Sequence, residues 1–160
     1  MAVLSTIAIP AADGTGPIYT GDFNGDGETD FIVNGQSGQS ASVYLGDGDG
    51  TFQTPVRYTF DHGVRLLRLA DMDGDGRADM MVVGEGRVVE VFHGNGDGSF
   101  ATTSEGGVVL PGGVVSGGLL AADVDKDGCG DIAALIGGGP ADAGGASELY
   151  VWYGLSLIHI

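Results

Sequence analysis

Apolar residues fall along this chain in short bursts separated by glycine and acid. Phe31-Ile32-Val33, Met80-Met81-Val82-Val83 and Ile132-Ala133-Ala134-Leu135-Ile136 are runs too short for helices and bounded by turn residues, which marks them as buried strands. No segment keeps a 3.6-residue apolar period for three turns, and no apolar run is long enough to span a bilayer. Two further stretches, Val43-Tyr44-Leu45-Gly46-Asp47-Gly48-Asp49-Gly50-Thr51-Phe52 and Val91-Phe92-His93-Gly94-Asn95-Gly96-Asp97-Gly98-Ser99-Phe100, match each other. In both, a strand runs into an Asp-Gly or Asn-Gly turn and resumes, the pattern of a hairpin. Asp47, Asp49, Asn95 and Asp97 are read as turn formers on that account. The predicted class is all-β.

The bursts recur with a period. Asp22-Phe23-Asn24-Gly25-Asp26-Gly27-Glu28-Thr29-Asp30 returns as Asp71-Met72-Asp73-Gly74-Asp75-Gly76-Arg77-Ala78-Asp79, and again as Asp123-Val124-Asp125-Lys126-Asp127-Gly128-Cys129-Gly130-Asp131. The offsets are 49 residues (22 to 71) and 52 (71 to 123), and each copy leads into one of the apolar runs. A unit reads as strand, acidic loop, strand, strand, hairpin, strand. Four short antiparallel strands in roughly 50 residues is the size of a β-propeller blade. The expected organisation is about three blades of a larger propeller, over residues 1–60, 61–110 and 111–154.

Composition sharpens this picture. The 160 residues include 32 glycines without a collagen period, and 22 acids against 6 lysines and arginines give a net charge of −16. Such a surface repels nucleic acid and anionic lipid. The three loops hold four acids each, 12 of the 22. Their common form is D-x-[DN]-x-D-G-x-x-D, with oxygens on alternate residues as hard cations require. The sixth position is always glycine; the seventh is Glu28, Arg77 or Cys129, as expected if only its carbonyl is used; the second is always apolar (Phe23, Met72, Val124) and is expected to face the core. An EF-hand needs a bidentate Glu at the twelfth position, where this chain has Val33, Val82 and Ala134; dockerin-type and thrombospondin-type calcium loops fail there too. Calcium suits a flexible carboxylate-rich loop better than magnesium does, and no Cys/His cluster recommends zinc. The competing account is a solvated acidic turn without metal. Cys129 is the one cysteine, read as a small loop residue, and His62 and His93 are read as having no triad or metal partner, His93 being a strand residue. Tyr44, Phe92, Tyr150 and Trp152 are read as packing residues.

These loops, with Gly21 or Ala before the first Asp, and the two glycine-rich hairpins resemble the FG-GAP/VCBS-type repeats of integrin α-subunit propellers and secreted bacterial proteins. The Gly-Ala-Pro element is missing, Gly138-Gly139-Pro140 being the nearest approach. The resemblance implies a propeller of about seven blades, calcium in the loops, and a face that binds protein or carbohydrate. It implies three calcium sites: Asp22, Asn24, Asp26, Glu28 and Asp30; Asp71, Asp73, Asp75, Arg77 and Asp79; and Asp123, Asp125, Asp127, Cys129 and Asp131, the seventh position acting through its main chain. Lys126 is expected to make the third site the weakest. The functional expectation is a non-catalytic, extracellular or cell-surface binding or adhesion module, with no membrane insertion in this segment. The alternative is a propeller attached to a secreted polysaccharide- or ester-degrading enzyme. Ser5–Pro10 reads as the last strand of a preceding blade. Leu155–Ile160 interrupts the third hairpin and matches a translated transposase-type adapter, so a cloning scar is expected there.

Overall fold

A computed structural model describes residues 16–85, 87–111, 114–137 and 148–154. Eleven strands and no helix are found among the described residues. The first sheet is β1 (Ile18–Gly21), β2 (Asp30–Asn34), β3 (Ser40–Tyr44) and β4 (Val56–Thr59), hydrogen-bonded in chain order. The second repeats it with β5 (Val64–Ala70), β6 (Asp79–Gly84), β7 (Val88–Phe92) and β8 (Glu105–Val109). The third has β9 (Val114–Ala122), β10 (Asp131–Gly137) and β11 (Glu148–Trp152). Every pairing is antiparallel, as short up-and-down connections require. The architecture is that of propeller blades, as the period predicts. The proposed preceding strand at Ser5–Pro10 and the segment Leu155–Ile160 lie outside the described residues.

The apolar runs are continuous because their sheets stack. On β6, Met80 and Val82 point to one face and join Ile32, Ala41, Val43, Phe60 and Phe23 of the first sheet in one core. Met81 and Val83, one residue out of phase, join Ile132, Ala134, Ile136 and Leu119 of the third sheet in another. A strand buried on both faces cannot alternate apolar with polar. Complete burial of each such side chain contributes roughly 1.5–3 kcal/mol, so the interfaces between sheets carry most of the stabilisation. Aromatic pairs reinforce the first of them: Phe60 on Phe92 and Tyr58 on Phe100, with edge-to-face centroids 5.6 and 5.9 Å apart. The Tyr58 hydroxyl also accepts the Phe100 N–H at 2.8 Å. The Arg68 Nε donates to Leu119 O at 2.9 Å across the second interface. Tyr44 and Phe92 are buried, and Tyr150 stacks on Trp152 at 5.7 Å, so all four aromatics pack as expected.

The second position of the loop obeys the core expectation twice. Phe23 packs against Phe100 at 6.1 Å and Met72 is buried in the second core. Val124 does not: it is 50% exposed. In the first two repeats this side chain is covered by the sheet that follows. Among the described residues no sheet covers that face of the third, where Leu120, Leu135 and Leu149 are exposed as well.

Candidate metal centre

All three acidic loops are built around the first aspartate, because its carboxylate gathers the backbone N–H groups of the turn. In the first loop Asp22 Oδ1 accepts from Gly25 (2.8 Å) and Asp26 (3.2 Å), and Oδ2 accepts from Gly27 (2.9 Å). Asp26 Oδ1 accepts from the Glu28 N–H at 2.8 Å. The second loop repeats every bond: Asp71 takes Gly74, Asp75 and Gly76 at 2.8, 3.1 and 2.8 Å, and Asp75 takes Arg77 at 2.8 Å. Such a wrap demands left-handed backbone at the fourth and sixth positions. Glycine supplies it in the first two loops, with φ between 74° and 85°. In the third loop Lys126 is forced to φ 66°, and the fifth-position N–H bonds Asp125 Oδ1 at 3.2 Å instead of the first aspartate. The third loop is thus a strained copy of the other two.

Wrapping the backbone inward turns the carboxylates toward one another. Asp71, Asp73 and Asp75 each offer an oxygen within 4.8 Å of the others, and so do Asp123, Asp125 and Asp127. In the first loop the middle residue is Asn24, whose Nδ2 donates to Asp26 Oδ2 at 2.7 Å. These acidic clusters could hold a metal ion. Without one, two carboxylates 4 Å apart repel by about 4 kcal/mol at an effective dielectric of 20.

The ninth position does something the sequence does not announce. Asp30, Asp79 and Asp131 are wholly buried. Each clamps two backbone segments with its two oxygens. Asp30 accepts from Phe23 N–H (2.7 Å) and Gly46 N–H (2.8 Å). Asp79 accepts from Met72 and Gly94 N–H, both at 2.8 Å. Asp131 accepts from Val124 and Gly154 N–H, both at 2.7 Å. The clamp fixes the start of the acidic loop to the start of the following hairpin. Backbone N–H groups of Gly154 and Val124 hold the Asp131 carboxyl below its ordinary value. Burial outweighs the same kind of bonds at Asp79, whose carboxyl is pushed up. The hairpin acids act as the turn formers they resemble: Asp49 and Asp97 accept the N–H of Thr51 and Ser99, both at 2.9 Å.

Three side chains depart from the sequence reading or extend it. His93, taken as a strand residue without a metal partner, directs Nδ1 at Asp73 Oδ2 (3.2 Å) and Asp79 Oδ1 (3.5 Å), and Asp73, Asp79 and His93 form a third group able to hold a metal. The signal was available: His93 immediately precedes Gly94, where the other repeats have Leu45 and Tyr153. His62 lies 3.4 Å from Glu90, away from the loops. Cys129 is a free thiol whose Sγ faces Asp73 O of the second loop at 4.0 Å. Partial burial, then Asp127, Asp123, Asp71 and Asp73, push that thiol up, which makes it a poor nucleophile.

No curated protein matches the chain. A family model described as an FG-GAP-like repeat matches residues 22–82 and again 71–134. Each match begins at the first aspartate of an acidic loop and ends beyond the corresponding aspartate of the next. Together they cover most of the sequence, and the chain belongs to the FG-GAP-like repeat family.

Proposed function

We propose that the chain is a calcium-braced binding module of an extracellular or cell-surface protein. The observation that carries this is the convergence of alternate carboxylates in loops that share one backbone wrap. Oxygen is the only side-chain donor in the first and third ligand sets, and hard, flexible, oxygen-rich surroundings fit calcium. The ions would be held by Asp22, Asn24, Asp26 and Asp30; by Asp71, Asp73, Asp75 and Asp79; and by Asp123, Asp125, Asp127 and Asp131, with main-chain oxygens of Glu28, Arg77 and Cys129. At the third and fifth positions of the second and third loops carboxylate oxygens face one another, whereas the first aspartate of the first two loops already accepts three backbone N–H bonds and reaches an ion only with what those leave free. The ninth reaches an ion only with the lone pairs its two backbone bonds leave free.

Calcium's contribution when bound is charge neutralisation and cross-bracing. The protein's own residues do the rest, since the clamps preorganise the loops through backbone bonds. Extracellular modules of this kind bind with dissociation constants on the order of 10⁻⁴–10⁻³ M, so each site contributes roughly 0.4–1.4 kcal/mol in millimolar calcium. Repeats of this family are generally non-catalytic. A rigid stack of sheets displaying loops suits recognition of a protein or carbohydrate ligand.

Thermal unfolding of the purified chain in millimolar calcium, magnesium or excess EGTA tests the reading, with titration calorimetry counting sites. Calcium should raise the melting temperature, magnesium should not, and three ions should bind. A folded protein with one melting temperature in all three conditions would leave the loops as plain acidic turns.

A further inference from the structure

The three loops share their acids, but among the described residues only the second is met by an imidazole. We infer that the second loop takes a first-row transition dication, with Zn2+ as its probe and Mn2+ as its paramagnetic reporter, through Asp73, Asp79 and His93, in preference to calcium. The inference rests on the reading of the loops as cation sites and narrows which cation the second one selects.

Acidity does not single out the second loop. The donor that does is nitrogen. His93 Nδ1 is shielded from solvent and lies 3.2 Å from Asp73 Oδ2 and 3.5 Å from Asp79 Oδ1. Ligand atoms held about 2.1 Å from one ion stand roughly 3.0 to 3.4 Å apart along the edge of an octahedron or tetrahedron. The 3.2 Å spacing lies inside that range, the 3.5 Å spacing just beyond it, and the two carboxylate oxygens lie within 4.8 Å of each other, so the three atoms draw closer together when they share one ion. Calcium takes oxygen and gains little from an imidazole, whereas imidazole beside carboxylate is a donor set for zinc and its neighbours in the first row. At the equivalent positions Leu45 and Tyr153 offer no nitrogen, and Leu45 packs toward Gly98 of the neighbouring hairpin. The Asp79 carboxylate is held in place by the N–H groups of Met72 and Gly94, and Gly94 directly follows His93 in the chain. The bond that orients the carboxylate therefore also positions the imidazole, which is how outer bonds tune a metal site.

The competing account is an imidazole–carboxylate ion pair that needs no metal. Electron spin-echo modulation of Mn2+ bound to the full chain separates them, because a coordinated imidazole imprints its 14N nucleus on the echo. The expected result in millimolar calcium is one Mn2+ with 14N modulation, displaced by Zn2+. His93→Leu, which installs the first repeat's residue, should remove the modulation and weaken Zn2+ binding about tenfold or more. His62→Gln should change neither. Should His93→Leu fold poorly, the wild-type echo alone still decides. Bound Mn2+ without nitrogen modulation, or neither Mn2+ nor Zn2+ bound in competition with calcium, overturns the inference. A calorimetric calcium count of zero together with a nitrogen-coupled Mn2+ would instead overturn the calcium reading and leave this one standing.

Discussion

Replacing Asp30 by Asn separates the clamp from any role as a metal ligand. The wild-type carboxylate is wholly buried and accepts two backbone N–H groups, Phe23 at 2.7 Å and Gly46 at 2.8 Å. An amide keeps one acceptor and sets its own NH2 against the other donor. One charge-assisted bond is lost, worth about 1.5–3 kcal/mol, and a buried backbone N–H is left unsatisfied, at about 1–3 kcal/mol. The two terms overlap, so about 2–4 kcal/mol is expected in total, a large share of the 5–15 kcal/mol typical of a folded domain. Urea unfolding followed by far-UV circular dichroism, with EGTA throughout, measures this with calcium absent. Asp26→Asn is the control. Its side chain is exposed and an amide oxygen can still accept the Glu28 N–H, so it should cost no more than about 0.5 kcal/mol in EGTA while weakening calcium binding. If Asp30→Asn matches the wild type in EGTA and loses only the calcium-dependent increment, the clamp is not structural and the reasoning fails.

Three further outcomes follow from the loop geometry. Lys126→Gly relieves a left-handed residue worth about 1–2 kcal/mol against about 0.5–1 kcal/mol of added chain freedom, so about 0–1.5 kcal/mol of stabilisation should appear in urea unfolding, with tighter calcium binding at the third loop; destabilisation would contradict the strain assigned to φ 66°. Gly46→Ala places a Cβ 2.5 Å from Thr29 O, a backbone atom that cannot step aside, and should cost about 1–3 kcal/mol by the same assay; a neutral variant would show that the hairpin yields. Asp131, held below its ordinary value by the Gly154 and then the Val124 N–H, contributes stability that is present above the unfolded value of about 3.9 and lost as pH falls through the folded value. The stability gap between wild type and Asp131→Asn in EGTA should therefore be full above about pH 5 and shrink progressively below about pH 4; a gap that does not shrink as the pH is lowered through this range would refute the assignment.

The architecture is legible in the sequence because its signals are local. Loops that return every 49 or 52 residues and apolar runs that follow them need no long-range information. Hairpin chemistry at Asp49 and Asp97 is equally local. What escapes is whatever depends on a partner from another part of the chain. The aspartate at the ninth position is visible as a carboxylate, but nothing in the residues says that Gly46, Gly94 or Gly154 supplies its second donor. Val124 matches Phe23 and Met72 in type, yet its burial depends on a neighbouring sheet rather than on its own side chain. His93 reads as one more strand residue until the fold brings it over Asp73 and Asp79. The spacing of strand and loop is written in each repeat, whereas the meeting of two repeats is written in neither.

The ninth-position clamp has a consequence for how such a chain can change. Every one of its bonds closes inside a single repeat: Asp30 with Phe23 and Gly46, Asp79 with Met72 and Gly94, Asp131 with Val124 and Gly154. The apolar contacts, by contrast, run between sheets, as do the Tyr58–Phe100 and Arg68–Leu119 bonds. A duplicated repeat thus arrives with its loop already shaped, and its side chains need to adapt only where they meet the neighbours. Stability in such arrays divides into an intrinsic part and a nearest-neighbour part. Here the loop clamps are polar and close within each repeat, while the seams are mainly apolar with a few hydrogen bonds across them, so the loops can stay uniform while the seams diverge.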